Sequence, residues 1–301
     1  MLNVTFPSTL GIQEFEDAIA GPDPLGSAVK SVTFSYESVT FIPMEAHVHA
    51  LCLYNQLARA GVRVRLLWPE HDTLSYADRM GFFQLLDDEV AVRPRRPRGL
   101  LARVHRSRNP TLLELTAIVP ADRASADRTL QLVYDRVRAN VRTSSEADHV
   151  AGHVGTVATE LVNNIFDWSE TPLSGIIGIQ RYGGKNPRVT LAIADSGVGI
   201  TESLRKNNPQ GTAGVGDQDL ILKAFREGLS SRKEPGGGAG LTRCAAIATQ
   251  YKGRLCVRTN RTWSKLIVRA ESNGLNWNVF NPRGAMVAGT SLTFDLLVDR
   301  V

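Results

Sequence analysis

The chain has 301 residues, 43% apolar and 7% aromatic, enough for packed cores and too apolar for wholesale disorder. Its length predicts two domains. Lys plus Arg number 35 and Asp plus Glu 30, a formal charge of +5, yet seven arginines sit in residues 93–108 (RPRRPRGLLARVHRSR), so the other 285 residues carry 28 basic and 30 acidic groups. The protein is therefore near-neutral with one basic strap. Cys52, Cys244 and Cys256 are odd in number, far apart and without a CxxC, which argues against a disulfide framework or a zinc module and for a reduced, cytoplasmic setting. The start, MLNVTFPSTLGIQEF, has no basic segment followed by an apolar run, and no stretch approaches the roughly 18 apolar residues of a membrane helix.

Along the chain, SVTFSY (Ser31–Tyr36) and SVTFI (Ser38–Ile42) read as strands. Met44–Ala60 reads as a helix stopped by Gly61, Val62–Trp68 as a strand and Leu74–Leu86 as a second helix. Strand–helix–strand–helix predicts a small α/β unit. Pro94 and Pro97 disfavour helix in the basic stretch, which marks a linker and domain boundary at 93–108. Beyond it, Thr111–Val119 is an expected strand, followed by helices over Ala124–Val141 and Ala147–Trp168. Val189–Ala194 (VTLAIA) is a strand with Val189, Leu191 and Ile193 on one face. Helices are expected over Asp217–Glu227 and Leu241–Tyr251, and a last strand over Thr290–Val298. Residues 256–288 predict an extra β-hairpin.

Four features carry chemistry. In the helix ending at Trp168, Val150, Val154, Val157, Leu161, Ile165 and Trp168 form a buried stripe, and Glu160, Asn164 and Asp167 lie on its shoulder. Glu160 and Asn164 are i,i+4 neighbours that reach one small volume, whereas Asn163 points away. Asp195-Ser196-Gly197-Val198-Gly199-Ile200 follows the strand VTLAIA, setting a carboxylate beside backbone that a ligand can approach. Gly236-Gly237-Gly238-Ala239-Gly240-Leu241 opens a helix, with free N–H groups suited to phosphate. It lacks the Gly-Lys-Ser/Thr of a Walker A loop. Gly289-Thr290 leads into the final strand. Each alone also fits an ordinary turn, linker or polar helix shoulder.

Together, in this order, TELVNNIFDWS (159–169), IADSGVGI (193–200), AFREGLSSRK (224–233), GGGAGL (236–241) and GTSLTFDL (289–296) resemble the motifs of the GHKL ATP-binding family of gyrase, Hsp90, MutL and sensor histidine kinases. The resemblance covers roughly residues 110–301. It implies a two-layer α/β sandwich of the Bergerat type with Mg²⁺ and ATP as cofactors. It implies Asn164 as the Mg²⁺ ligand, Glu160 as the general base toward water, and Asp195 as acceptor for the adenine amino group. Gly197 and Gly199 would meet the base, Gly236, Gly238 and Gly240 would cover the phosphates, and Thr290 would lie near adenine. Asp167 counts among the nucleotide-site residues and looks like the hydrolysing branch, whereas AFREGLSSR looks like the kinase branch.

Val32–Leu86 resembles the STAS domains of anti-sigma-factor antagonists, but Ile42-Pro43-Met44-Glu45 has no hydroxyl where many of them carry a phosphorylatable serine. The expected layout is a STAS-like unit over 1–108 and a GHKL unit over 109–301. The expected function is a nucleotide-controlled regulatory ATPase. The alternatives are an anti-sigma-type serine/threonine kinase and an ATP-binding interaction module without turnover. A protein partner is expected and a homodimer fits the resemblance. Nucleic-acid contact through Arg93–Arg108 is less favoured than a solvated segment, and no membrane contact is expected. Glu45, His47 and His49 (EAHVH) fall on different helix faces and lack a third ligand, so a metal site is not favoured.

Overall fold

The computed structural model describes the chain apart from residues 27, 106–107, 110–111, 142–143, 169, 184–186, 231–238, 252, 268–275, 281–283 and 298–301. The first third contains β1 (Leu2–Thr5), α1 (Ile12–Ala20), β2 (Ser31–Ser35), α2 (Met44–Arg59), β3 (Arg63–Leu67), α3 (Asp72–Arg79), α4 (Phe82–Leu85), β4 (Ala91–Arg93) and α5 (Leu100–His105). Its strands form one parallel sheet in the order β1-β2-β3-β4. Parallel neighbours need crossovers, and α1, α2 and the α3–α4 pair supply them.

Three expectations change here, the first being that Leu100–His105, within the stretch expected to be a helix-free linker, forms the helix α5. Ser38–Ile42 is a loop rather than a strand, with Phe41 making only an isolated bridge to Thr9. Its β-branched residues instead lead into Pro43, the N-cap of α2. The helix expected over Leu74–Leu86 breaks at Gly81, whose φ of +83° ends α3 and starts α4. In the basic stretch, Arg93 ends β4, and Arg96 donates to the carbonyls of Phe83, Leu86 and Asp87.

The rest of the chain contains β5 (Leu112–Ile118), α6 (Arg123–Asn140), α7 (Ser144–Trp168), β6 (Gly175–Tyr182), β7 (Arg188–Ala194), α8 (Ile200–Asn207), α9 (Pro209–Thr212), α10 (Asp217–Arg226), α11 (Ala239–Gln250), β8 (Arg254–Thr259), β9 (Thr262–Ile267), β10 (Asn276–Phe280) and β11 (Thr290–Leu297). The strands build an antiparallel sheet in the order β10-β9-β8-β11-β7-β6-β5. The β9–β10 pair is the hairpin expected within 256–288.

Period-two alternation gives this sheet two apolar faces. Leu191, Ile193, Ile177 and Ile179 pack against the Val150–Val154–Val157–Leu161–Ile165 stripe of α7, flanked by α6 and α11, forming the expected two-layer sandwich. The Trp168 side chain lies outside the described residues. Ile176, Ala192 and Ala194 face the other way, onto α2. Small residues permit that approach: a Cβ on Gly178 would come within 2.8 Å of Met44 Sδ. All residues of α2 from Met44 to Tyr54 are buried, because the helix lies between the two sheets. One continuous core therefore runs from Val4 and Phe34 through α2 to β6 and β7. Among the described residues, no helix is long and apolar enough to cross a membrane.

Candidate functional site

The apolar stripe fixes the rotation of α7 about its axis, and that rotation turns Glu160 and Asn164 toward the C-terminal end of β7. There a cavity of about 280 Å³ opens between α7, α8, α11 and the sheet. Glu160, Asn164, Asp195, Gly199, Gly240 and Thr290 all line it. Leu161, Ile165, Ile193, Leu204 and Leu292 supply apolar wall.

Asp195 is half-buried at the end of β7, and its Oδ1 accepts a 2.7 Å bond from the Gly197 amide. Burial pushes its carboxyl up to about 6, against the lowering effect of that amide. Backbone bonds lock it in place: Asp195 N donates to Thr290 O at 2.8 Å, and Ile200 N donates to Thr290 Oγ1 at 3.2 Å. Two glycines make this packing sterically feasible. Gly199 has φ +81°, and its Cβ would stand 2.6 Å from Thr259 Oγ1. Gly289 has φ +92°, and its Cβ would stand 2.2 Å from the Asp195 carbonyl. The opposite wall is the N-terminal part of α11, where Arg243 Nη1 lies 3.3 Å from Glu160 Oε1.

The remaining expected residues are placed differently. Gly197 is buried behind Asp195, outside the cavity lining, and serves it through its amide. Asp167 is exposed near the end of α7 and does not line the cavity. Gly236 and Gly238 lie outside the described residues. Asn163 accepts a bond from Arg123, away from the cavity, as its helical position implies.

Sequence reasoning missed Arg243, although it is the lone charge in the otherwise uncharged helix AGLTRCAAIATQ. It also missed the support behind Asp195, which comes from α2. Gln56 Nε2 donates to Ser196 Oγ at 3.0 Å and to Ala288 O at 2.9 Å, while Ala288 N donates back to Gln56 Oε1 at 2.9 Å. His49 Nε2 and Ser291 Oγ are hydrogen-bonded at 2.6 Å. Below them a buried Arg258 pairs with Glu16 of α1 and donates to the carbonyls of Asn260 and Ala285.

The EAHVH residues are thus separate interface groups. Glu45 accepts from the Tyr182 hydroxyl at 2.8 Å, and His47 Nδ1 bonds the Pro43 carbonyl at 3.1 Å. Burial lowers His47 to about 4, so its ring is neutral. No cluster of three metal-ligating side chains occurs among the described residues.

The donor set suits a magnesium nucleotide. Glu160 and Asn164 offer side-chain oxygens, which Mg²⁺ prefers. Arg243 and the α11 amides suit phosphate, and apolar walls beside a carboxylate suit an amino-bearing base.

Residues 149–296 match the family model for histidine kinase-, DNA gyrase B- and HSP90-like ATPases. No curated protein matches the chain. Among solved structures, the mycobacterial sensor histidine kinase MprB is similar at 20% identity, covering 61% of this chain and 95% of that chain with a TM-score of 0.25. The family match falls on the segment that carries most of α7, the Asp195 loop, α11 and β11, so residues 149–296 are similar to GHKL-type ATPase domains.

Proposed function

We propose that the chain binds Mg·ATP in this cavity, hydrolyses it slowly, and uses the nucleotide state to control a protein partner. The observation that carries the reading is the convergence of Glu160, Asn164, Asp195, Gly199, Gly240 and Thr290 on one cavity. Asp195 accepts the exocyclic amino hydrogen of the base, and Thr290 and Gly199 shape the wall around it. Asn164 supplies one oxygen to Mg²⁺. When bound, the metal neutralises phosphate charge and polarises the terminal phosphoryl group. Glu160 orients the attacking water and takes its proton.

On this reading the parallel-sheet unit over the first third, STAS-like in its element order, is the part that meets the partner. Its α2 lies directly behind Asp195–Ser196, which supports communication between a docked partner and the nucleotide.

The test is labelled-ATP binding and turnover by the purified chain. Asn164→Ala should abolish Mg·ATP binding, while Glu160→Ala should keep binding and lose turnover. Wild-type binding by Asp195→Ala would sink the site assignment. Label appearing on a protein hydroxyl rather than as free phosphate would make the chain a kinase instead.

A further inference from the structure

The Glu160 carboxylate is not poised over open cavity. Its Oε2 and Cδ lie 2.3 and 2.8 Å from where a Cβ on Gly240 would be, so it rests against the first turn of α11 in space that only glycine leaves free. Its Oε1 lies 3.3 Å from Arg243 Nη1, one turn further along the same helix. The start of a helix presents unpaired N–H groups and the positive end of the dipole. Arg243 adds a full positive charge beside them. Glu160 therefore sits against the start of α11 and beside a guanidinium, where an anion is favoured.

We infer that Arg243 is a phosphate ligand and that Glu160 stands in for the phosphate until nucleotide arrives. This rests on the Mg·ATP reading of the cavity. Two anions cannot share one positive site, so Arg243 leaves the carboxylate for the terminal phosphate, to which its planar fork can donate two bonds. The freed Glu160 then turns to the attacking water. The exchange is sterically open, because Arg243 is 54% exposed and Glu160 28% exposed. It is also weakly opposed, since a pair this exposed gains little from its attraction. The device keeps the general base tied down whenever the site lacks a phosphate chain.

The test is equilibrium binding of ATP, ADP and AMP, by calorimetry, to the wild-type chain and to Arg243→Ala, Arg243→Lys, Glu160→Gln and the Arg243→Ala/Glu160→Gln double variant. Arg243→Ala should weaken ATP by about 10- to 100-fold, as expected for loss of a charge-assisted bidentate contact, and leave AMP unchanged. Arg243→Lys, which keeps the charge and loses the fork, should fall between. Glu160→Gln should tighten ATP by about two- to fivefold, the scale of an exposed ion pair, and should have no effect once Arg243 is gone. An ordinary structural ion pair predicts the opposite pattern, with both single variants weakening ATP and AMP alike. Unchanged ATP binding in Arg243→Ala, or weakened ATP binding in Glu160→Gln, overturns the inference while the Mg·ATP reading stands. A wild-type chain that binds neither ATP nor AMP overturns both.

Discussion

Gln56 belongs to α2 in the first third of the chain, yet its amide group clamps the two segments that frame the Asp195 corner of the cavity, the base-binding corner on the proposed reading. Replacing it with Ala removes three hydrogen bonds of 2.9–3.0 Å: two to Ala288 and one to Ser196. At about 0.5–1.5 kcal/mol for each bond, and with the two Ala288 backbone groups only part-buried, the loss should be about 2–4 kcal/mol. For a chain of 301 residues that lowers the melting midpoint by roughly 3–6 °C. The damage is directional as well as energetic. Ala288 is two residues before Thr290 and Ser196 directly follows Asp195, so Asp195, the proposed acceptor for the base, loses its backing. Scanning calorimetry without nucleotide should show the stability loss. ATP titration well below the variant's melting midpoint should show an affinity loss in molecules that are still folded. A Gln56→Ala protein that melts with the wild type and binds ATP with unchanged affinity would refute the claim that α2 positions Asp195.

Two further outcomes follow from the same interface. Burial and the neighbouring Asp295 push the Glu45 carboxyl up to about 7, against the lowering effects of the Tyr182 hydrogen bond and Arg188. A carboxyl that prefers its proton in the folded state stabilises the fold fully below its ordinary range and loses that contribution as pH rises through about 7. Wild-type stability in urea should therefore fall from pH 5 to pH 8, by an amount on the order of 3 kcal/mol, and Glu45→Gln should flatten that slope. Arg258→Ala strands the buried Glu16 carboxylate and two or more carbonyls, and should cost about 3–5 kcal/mol in the same assay. A loss below 1 kcal/mol would mean that Glu16 takes up a proton or that water enters the site.

Much of the nucleotide corner is legible from local spacing. The i,i+4 relation of Glu160 and Asn164, the stripe beside them, and an acid followed by glycines at the end of VTLAIA all depend on helical or strand geometry within a few residues. The contacts that resist such reading join distant residues. Glu160 and Arg243 are 83 positions apart, and Gln56 and Ala288 are 232 apart. Glu45, His47 and His49 look like surplus polar groups on an apolar helix until the second sheet appears beside them. Ser38–Ile42 misleads because its β-branched and aromatic residues suit a strand, but the backbone must turn there to bring Pro43 to the start of α2. The Gly81 break is visible in sequence, whereas the αL conformation that turns it into a helix boundary is not.

The buried helix α2 makes the chain resemble an obligate heterodimer whose two protomers happen to share a backbone. The surface it covers on β6 and β7 is apolar, and buried polar pins at Glu16–Arg258, His49–Ser291 and Gln56–Ala288 fasten the two units beside it. A hinge between the units would have to break those pins together. A force on the outer sheet would thus reach the floor of the cavity beside Asp195 through α2, its lever arm.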